Sequence, residues 1–163
     1  MQILESWRDF NVAMIGATAT LAGLVIVAAS VNITAIIKAV SLTARLAASI
    51  AGLLMALAAS AIGLWPDLSL PALGIGVFLV GALSAVFQVA ATARITAGPA
   101  GQGYGLRIAN VVLAWAPTAA YLVGGTLLLV GLPNGLVLLA LGSLLAITTA
   151  IVASWVALVE VLR

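Results

Sequence analysis

Apolar residues run through this chain in long stretches, interrupted by a charge only at wide intervals. Between Asp9 and Lys38 lie the 28 uncharged residues 10–37, and between Arg45 and Asp67 the 21 residues 46–66. The 26 residues 68–93 separate Asp67 from Arg94, and the 52 residues 108–159 separate Arg107 from Glu160. A helix rises about 1.5 Å per residue, so about 20 apolar residues cross the roughly 30 Å hydrocarbon core of a bilayer. An ionised side chain at the centre of that core costs about 2.5–3.5 kcal/mol. Charges therefore mark where the chain leaves lipid.

Five helices follow, over about 10–37, 46–64, 71–93, 108–130 and 136–159. The uncharged run after Arg107 would be about 80 Å long as one helix. It must break, and Gly131-Leu132-Pro133-Asn134-Gly135 supplies the break. Glycine suits the residue after a helix end, and Asn-Gly enters turns readily. Trp65-Pro66-Asp67-Leu68-Ser69-Leu70-Pro71 combines an interfacial Trp, a charge and two prolines. Pro71 fits a first helical turn, where its missing N–H breaks no bond. Gly98, Pro99, Gly101, Gly103 and Gly105 make the stretch from Ile95 to Gly105 the most flexible loop expected. Ahead of the first span, Ile3, Leu4, Trp7 and Phe10 recur at helical spacing with Glu5, Arg8 and Asp9 opposite. That pattern predicts a short interfacial helix, with a frayed tail anchored by Trp7 as the alternative.

Composition agrees with this layout. Of 163 residues, 65% are hydrophobic and 6% charged, against roughly 25% charged in a soluble domain. A water-soluble core of this length could not hide so much hydrocarbon. The fold expected is an all-α integral membrane protein, a five-helix bundle forming a single membrane domain over 1–163. With five crossings, Lys38, Arg45, Arg94, Arg107 and Arg163 gather on one side and Arg8 alone on the other. The positive-inside rule makes the first side cytoplasmic, with the N-terminus outside and the C-terminus in the cytoplasm.

Small residues recur at spacings of three and four. The first span carries Gly16, Thr20, Gly23, Val27, Ser30 and Thr34; the second carries Ser49, Gly52, Ala56, Ala59 and Gly63. The third carries Gly74, Gly81, Ser84 and Gln88, and the fifth Gly135, Gly142, Ala146, Thr149 and Ala153. In lipid, small residues let helix backbones approach and gain dispersion contacts. Such stripes close a monomer or join copies, and the sequence leaves both open. Gln88 and Asn110 lie close enough along their helices for a contact, and Asn32 ends the first span. Pro117 should kink the fourth helix beside Trp115, Thr118 and Tyr121. Gly16, Thr20, Gly23, Ser30, Asn32, Thr34, Gln88, Asn110, Pro117 and Tyr121 are therefore the candidates for packing or pore lining.

The chemical inventory is sparse. With no Cys, the chain has no disulfide or thiol chemistry, and with no His it lacks the commonest metal ligand. No ionisable residue lies in the middle of a predicted span, so neither acid–base catalysis nor a proton relay has a nominee. Glu160 sits three residues from Arg163, the spacing of an interfacial ion pair. Six basic residues against four acidic ones are too few for a nucleic-acid surface. The expectation is a non-enzymatic protein without a cofactor, whose partners are the bilayer and either itself or another membrane protein. It would work through helix packing, as a homo-oligomer or an accessory subunit of a membrane complex. The alternative is an oligomeric pore or channel for ions or small solutes.

The opening Asp9-Phe10-Asn11-Val12-Ala13-Met14-Ile15-Gly16-Ala17, with Leu21-Ala22-Gly23-Leu24 and then Ser30-Val31-Asn32, resembles the start of small bacterial multi-span membrane proteins of unknown function. The resemblance covers about 25 residues and implies a prokaryotic plasma membrane, multi-pass. It carries no activity and assigns no residue a role.

Overall fold

The structure, a computed structural model, describes residues 2–31, 33–38, 40–96 and 104–159. These form α1 (Gln2–Glu5), α2 (Arg8–Val31), α3 (Ile33–Lys38), α4 (Val40–Gly63), α5 (Leu70–Thr96), α6 (Tyr104–Leu129) and α7 (Gly135–Val159). There is no strand among the described residues. Five of the helices are long and apolar enough to cross a membrane, as the charge spacing predicts.

The helix ends differ from the expected ones in a consistent way. α4 begins at Val40 instead of 46, α5 runs on to Thr96 instead of 93, and α6 begins at Tyr104 instead of 108. A charge marks the edge of lipid but does not end a helix, so Arg45 and Arg94 sit inside helical turns that continue past them. The expected first span is described as α2 and α3, the residue between them, 32, lying outside the described set. α3 joins α4 through Thr43, whose hydroxyl donates to the Ile36 carbonyl at 2.8 Å. The N-terminal helix is only α1, because a turn at Ser6–Trp7 separates it from α2. Ser6 Oγ donates back to the Ile3 carbonyl at 2.7 Å, and Trp7 packs edge-on to Phe10. Residues 97–103 of the expected glycine-rich loop, and 160–163 with the Glu160–Arg163 pairing, lie outside the described residues.

The connections form as their residues dictate. Ser69 caps α5, its Oγ accepting from the Ala72 N–H at 3.3 Å, which leaves Pro71 in the first turn. Asp67 takes φ 55°, in the left-handed region that Asp tolerates better than most residues. At the end of α6, the Gly131 N–H reaches the Leu128 carbonyl at 3.0 Å and the Leu132 N–H reaches Leu127 at 2.9 Å. With Gly131 at φ 80°, this is a Schellman close, which a β-carbon at that position would strain.

The packing is a ring, α2–α4–α5–α6–α7, bridged across by α4 against α7. Contacts set the directions. Gly74 near the start of α5 meets Leu129 at the end of α6, and Gly135 at the start of α7 meets Gly124 of α6. Gly63 at the end of α4 meets Asn11 near the start of α2. All these lie with Asp67 at one end of the bundle, and Arg45 and Arg94 lie at the other. Two cores result. One, between α2, α4 and α7 toward the Arg45 end, holds Val25, Leu46, Leu53 and Ala150. The other, between α4, α5, α6 and α7 toward the Asp67 end, holds Met55, Leu73, Tyr121, Leu128 and Ala146.

Candidate functional site

Two features stand apart from ordinary packing: an outward face on α2, and a mainly apolar cleft between α4, α5, α6 and α7 that holds a buried amide. The stripes on the other helices explain the first by contrast. Ser49, Gly52, Ala56 and Ala59 of α4 are buried, as are Gly74, Gly81, Ser84 and Gln88 of α5. Gly135, Gly142, Ala146 and Ala153 of α7 are buried too. Their smallness is used. A β-carbon on Gly74 would stand 2.6 Å from the Leu129 backbone nitrogen, and one on Gly135 would stand 2.5 Å from the Gly124 carbonyl oxygen. One on Gly142 would stand 2.9 Å from the Tyr121 ring.

The α2 stripe points the other way. Gly16, Thr20, Gly23, Val27, Ser30 and, on α3, Thr34 are all exposed. A β-carbon on Gly16 or Gly23 would meet nothing within 4 Å. The inner face of α2 consists instead of Thr18, Ala22, Val25 and Ala28. Both kinds of hydroxyl are satisfied within the helix: Thr18 donates to Met14 at 2.6 Å, Thr20 to Gly16 at 2.8 Å and Ser30 to Ile26 at 2.8 Å. Sequence spacing alone could not tell the two faces apart, since both repeat small residues at three and four. Asn32 lies outside the described residues.

The cleft lies in the half of the bundle that holds Arg45. Arg45, Ala48, Ser49 and Gly52 of α4 line it, with Gln88 of α5, Leu113, Ala114 and Pro117 of α6, and Thr149, Val152 and Ala153 of α7. Its volume is about 40 Å³. Gln88 is 2% exposed, and its Oε1 is buried without a hydrogen-bond partner. Ser49 donates to the Leu46 carbonyl at 2.8 Å and Thr149 to Ala146 at 2.9 Å, so both turn acceptor lone pairs outward. α6 continues as one helix through Pro117. Proline has no N–H, so Pro117 offers none to the Leu113 carbonyl four residues back. Beside the cleft, Trp115 Nε1 donates to Thr92 Oγ1 at 2.9 Å and ties α6 to α5.

One turn deeper the cleft ends. Tyr121, 0% exposed, donates to Ser143 Oγ at 2.5 Å, and Ser143 donates onward to the Leu139 carbonyl at 3.0 Å. Met55, Ala56 and Ala146 complete this layer, each at most 2% exposed. Of the residues singled out from sequence, Gln88 and Pro117 thus meet at the cleft, and Tyr121 lies beneath it as a packed tie. The Asn110 side chain lies outside the described residues, and with it the anticipated Gln88–Asn110 contact. Ser49 and Thr149 belong to the cleft because α4 and α7 bring them to face Gln88. Their only signal in the sequence was membership of the small-residue stripes. Among the described residues no group of three metal-ligating side chains forms. The chain matches no family model, no curated protein and no solved structure.

Proposed function

We propose that this chain is a non-enzymatic, multi-pass protein of a prokaryotic plasma membrane that works through helix packing, and that α2 is its contact helix. It acts as a homo-oligomer or as an accessory subunit of a larger membrane complex, with its N-terminus outside and its C-terminus in the cytoplasm. The carrying observation is the outward stripe. Three helices use their small residues against neighbours within the chain, while Gly16, Thr20 and Gly23 line the outside of α2 with nothing against them. Lipid tails gain nothing from a small residue, whereas a second helix gains close backbone approach. A repeat of three and four is self-complementary at the small crossing angle of left-handed packing. The basic side chains at the Arg45 end support the orientation.

Native mass spectrometry of the full chain released from lipid nanodiscs tests this reading. The wild type is expected as an oligomer or with a retained partner, and the double variant Gly16→Leu, Gly23→Leu as a monomer. A wild type found alone as a monomer would contradict it.

A second reading, an oligomeric pore for ions or small solutes, draws on the cleft, whose buried Gln88 carbonyl has no protein partner. Liposomes carrying the protein would then leak a small solute faster than empty ones, and equal rates would remove that reading.

A further inference from the structure

The cleft carries an inference separate from the contact role of α2. Its lining holds an acceptor that the protein leaves unsatisfied. Gln88 Oε1 lies among four helices with the Ser49 and Thr149 hydroxyls, whose hydrogens are given to their own helices. Two other buried oxygens, Ser84 Oγ and Thr118 Oγ1, also have no partner. A hydroxyl can turn to the carbonyl of its own helix, as Thr18, Thr20 and Ser30 do here. The Gln88 carbonyl oxygen has no such resort, because it only accepts and the N–H groups in the middle of a helix are already used. Leaving a buried acceptor unpaired costs about 1–3 kcal/mol, and a native fold rarely bears it.

We propose that this cleft is a water-binding vestibule, entered at the Arg45 end and closed beneath Gly52, Pro117 and Thr149, with Gln88 Oε1 as its principal acceptor. Small uncharged hydrogen-bond donors are the ligand class, water first. Three observations support it. The cleft's volume of about 40 Å³ exceeds the roughly 10–15 Å³ that one water needs. The lining supplies the two to four polar partners that an internal water requires. Among the described residues the lining includes no carboxylate to hold a cation. Below, both hydroxyl hydrogens of the Tyr121–Ser143 pair go to protein acceptors, and the fully packed Met55, Ala56 and Ala146 leave no space for water to follow.

X-ray hydroxyl-radical footprinting of the full chain in lipid nanodiscs tests this, since radicals form from water in place and oxidise the side chains beside it. Pro117, less than 2% exposed, is expected to be oxidised, while Met55 in the layer beneath is spared although thioethers oxidise readily. Pro117 and Met55 both spared would mean a dry cleft and overturn the proposal. Both oxidised would show water passing the floor and overturn the closed vestibule. Gln88→Leu gives a second readout. A hydrated amide predicts less Pro117 oxidation and an unchanged or lower thermal midpoint. A higher midpoint with Pro117 oxidation unaltered would mark Gln88 as an unpaired amide in a dry core and count against the site.

Discussion

The same four helices, α4 to α7, behave differently at their two ends. Toward Asp67 they close on one another through glycine: Gly74 faces the Leu129 backbone, Gly135 faces the Gly124 carbonyl, and Gly142 seats the Tyr121 ring. Toward Arg45 the inward positions are Ser49, Gln88, Pro117 and Thr149, and a cleft remains. Gly52 lies at the border, and a β-carbon there would meet only the Ala146 β-carbon at 3.9 Å. A membrane bundle gains no hydrophobic drive from joining its helices, so the closeness of approach decides where it is sealed. Glycine facing backbone seals one end, and polar side chains with a proline hold the other apart.

The largest expected effect compares the two ends directly. Gly135→Ala forces a β-carbon against the Gly124 carbonyl, a backbone group that cannot swing aside. It should cost about 3 kcal/mol, at the upper end of ordinary overpacking. Gly52→Ala makes only ordinary van der Waals contact with Ala146, removes a poor helix former, and should be neutral or up to about 1 kcal/mol stabilising. Reversible unfolding in mixed micelles reads both. Losses of equal size would erase the distinction between the ends.

A smaller effect is expected at the floor of the cleft. Tyr121→Phe keeps the ring in its seat against Gly142 and removes only the hydroxyl, while Ser143 still donates to Leu139 at 3.0 Å. The loss should be about 0.6 kcal/mol, the mean for interhelical hydrogen bonds in a membrane. The same unfolding measurement checks it, and a loss above about 2 kcal/mol would mean that the pair does more than tie α6 to α7.

The charge spacing was enough to find the five long helices, because lipid excludes ions wherever they occur. Helix ends were less predictable: Arg45 and Arg94 interrupt the apolar runs, yet α4 and α5 continue through them as helix. The stripes marked α2, α4, α5 and α7 alike and left open whether each closes the chain or joins copies. They could not show that Gly16 and Gly23 face away while Thr18 and Ala22 face in, since both sets share one period. Gln88 and Pro117 stood out as an amide and a helix breaker in apolar runs. Ser49 and Thr149 did not, because a hydroxyl bonded to its own helix is unremarkable until four helices bring it opposite an unpartnered carbonyl.

The sealed and open ends are tested most directly by two single cysteines, which are unambiguous reporters in a chain that has no cysteine of its own. Thr149→Cys places a thiol on the cleft wall, and Ala146→Cys places one in the layer below, where Ala146 is 0% exposed. With a small, polar methanethiosulfonate reagent acting on protein in lipid nanodiscs, the account predicts modification of Thr149→Cys and protection of Ala146→Cys. Equal rates at the two positions, or protection of both, would contradict it.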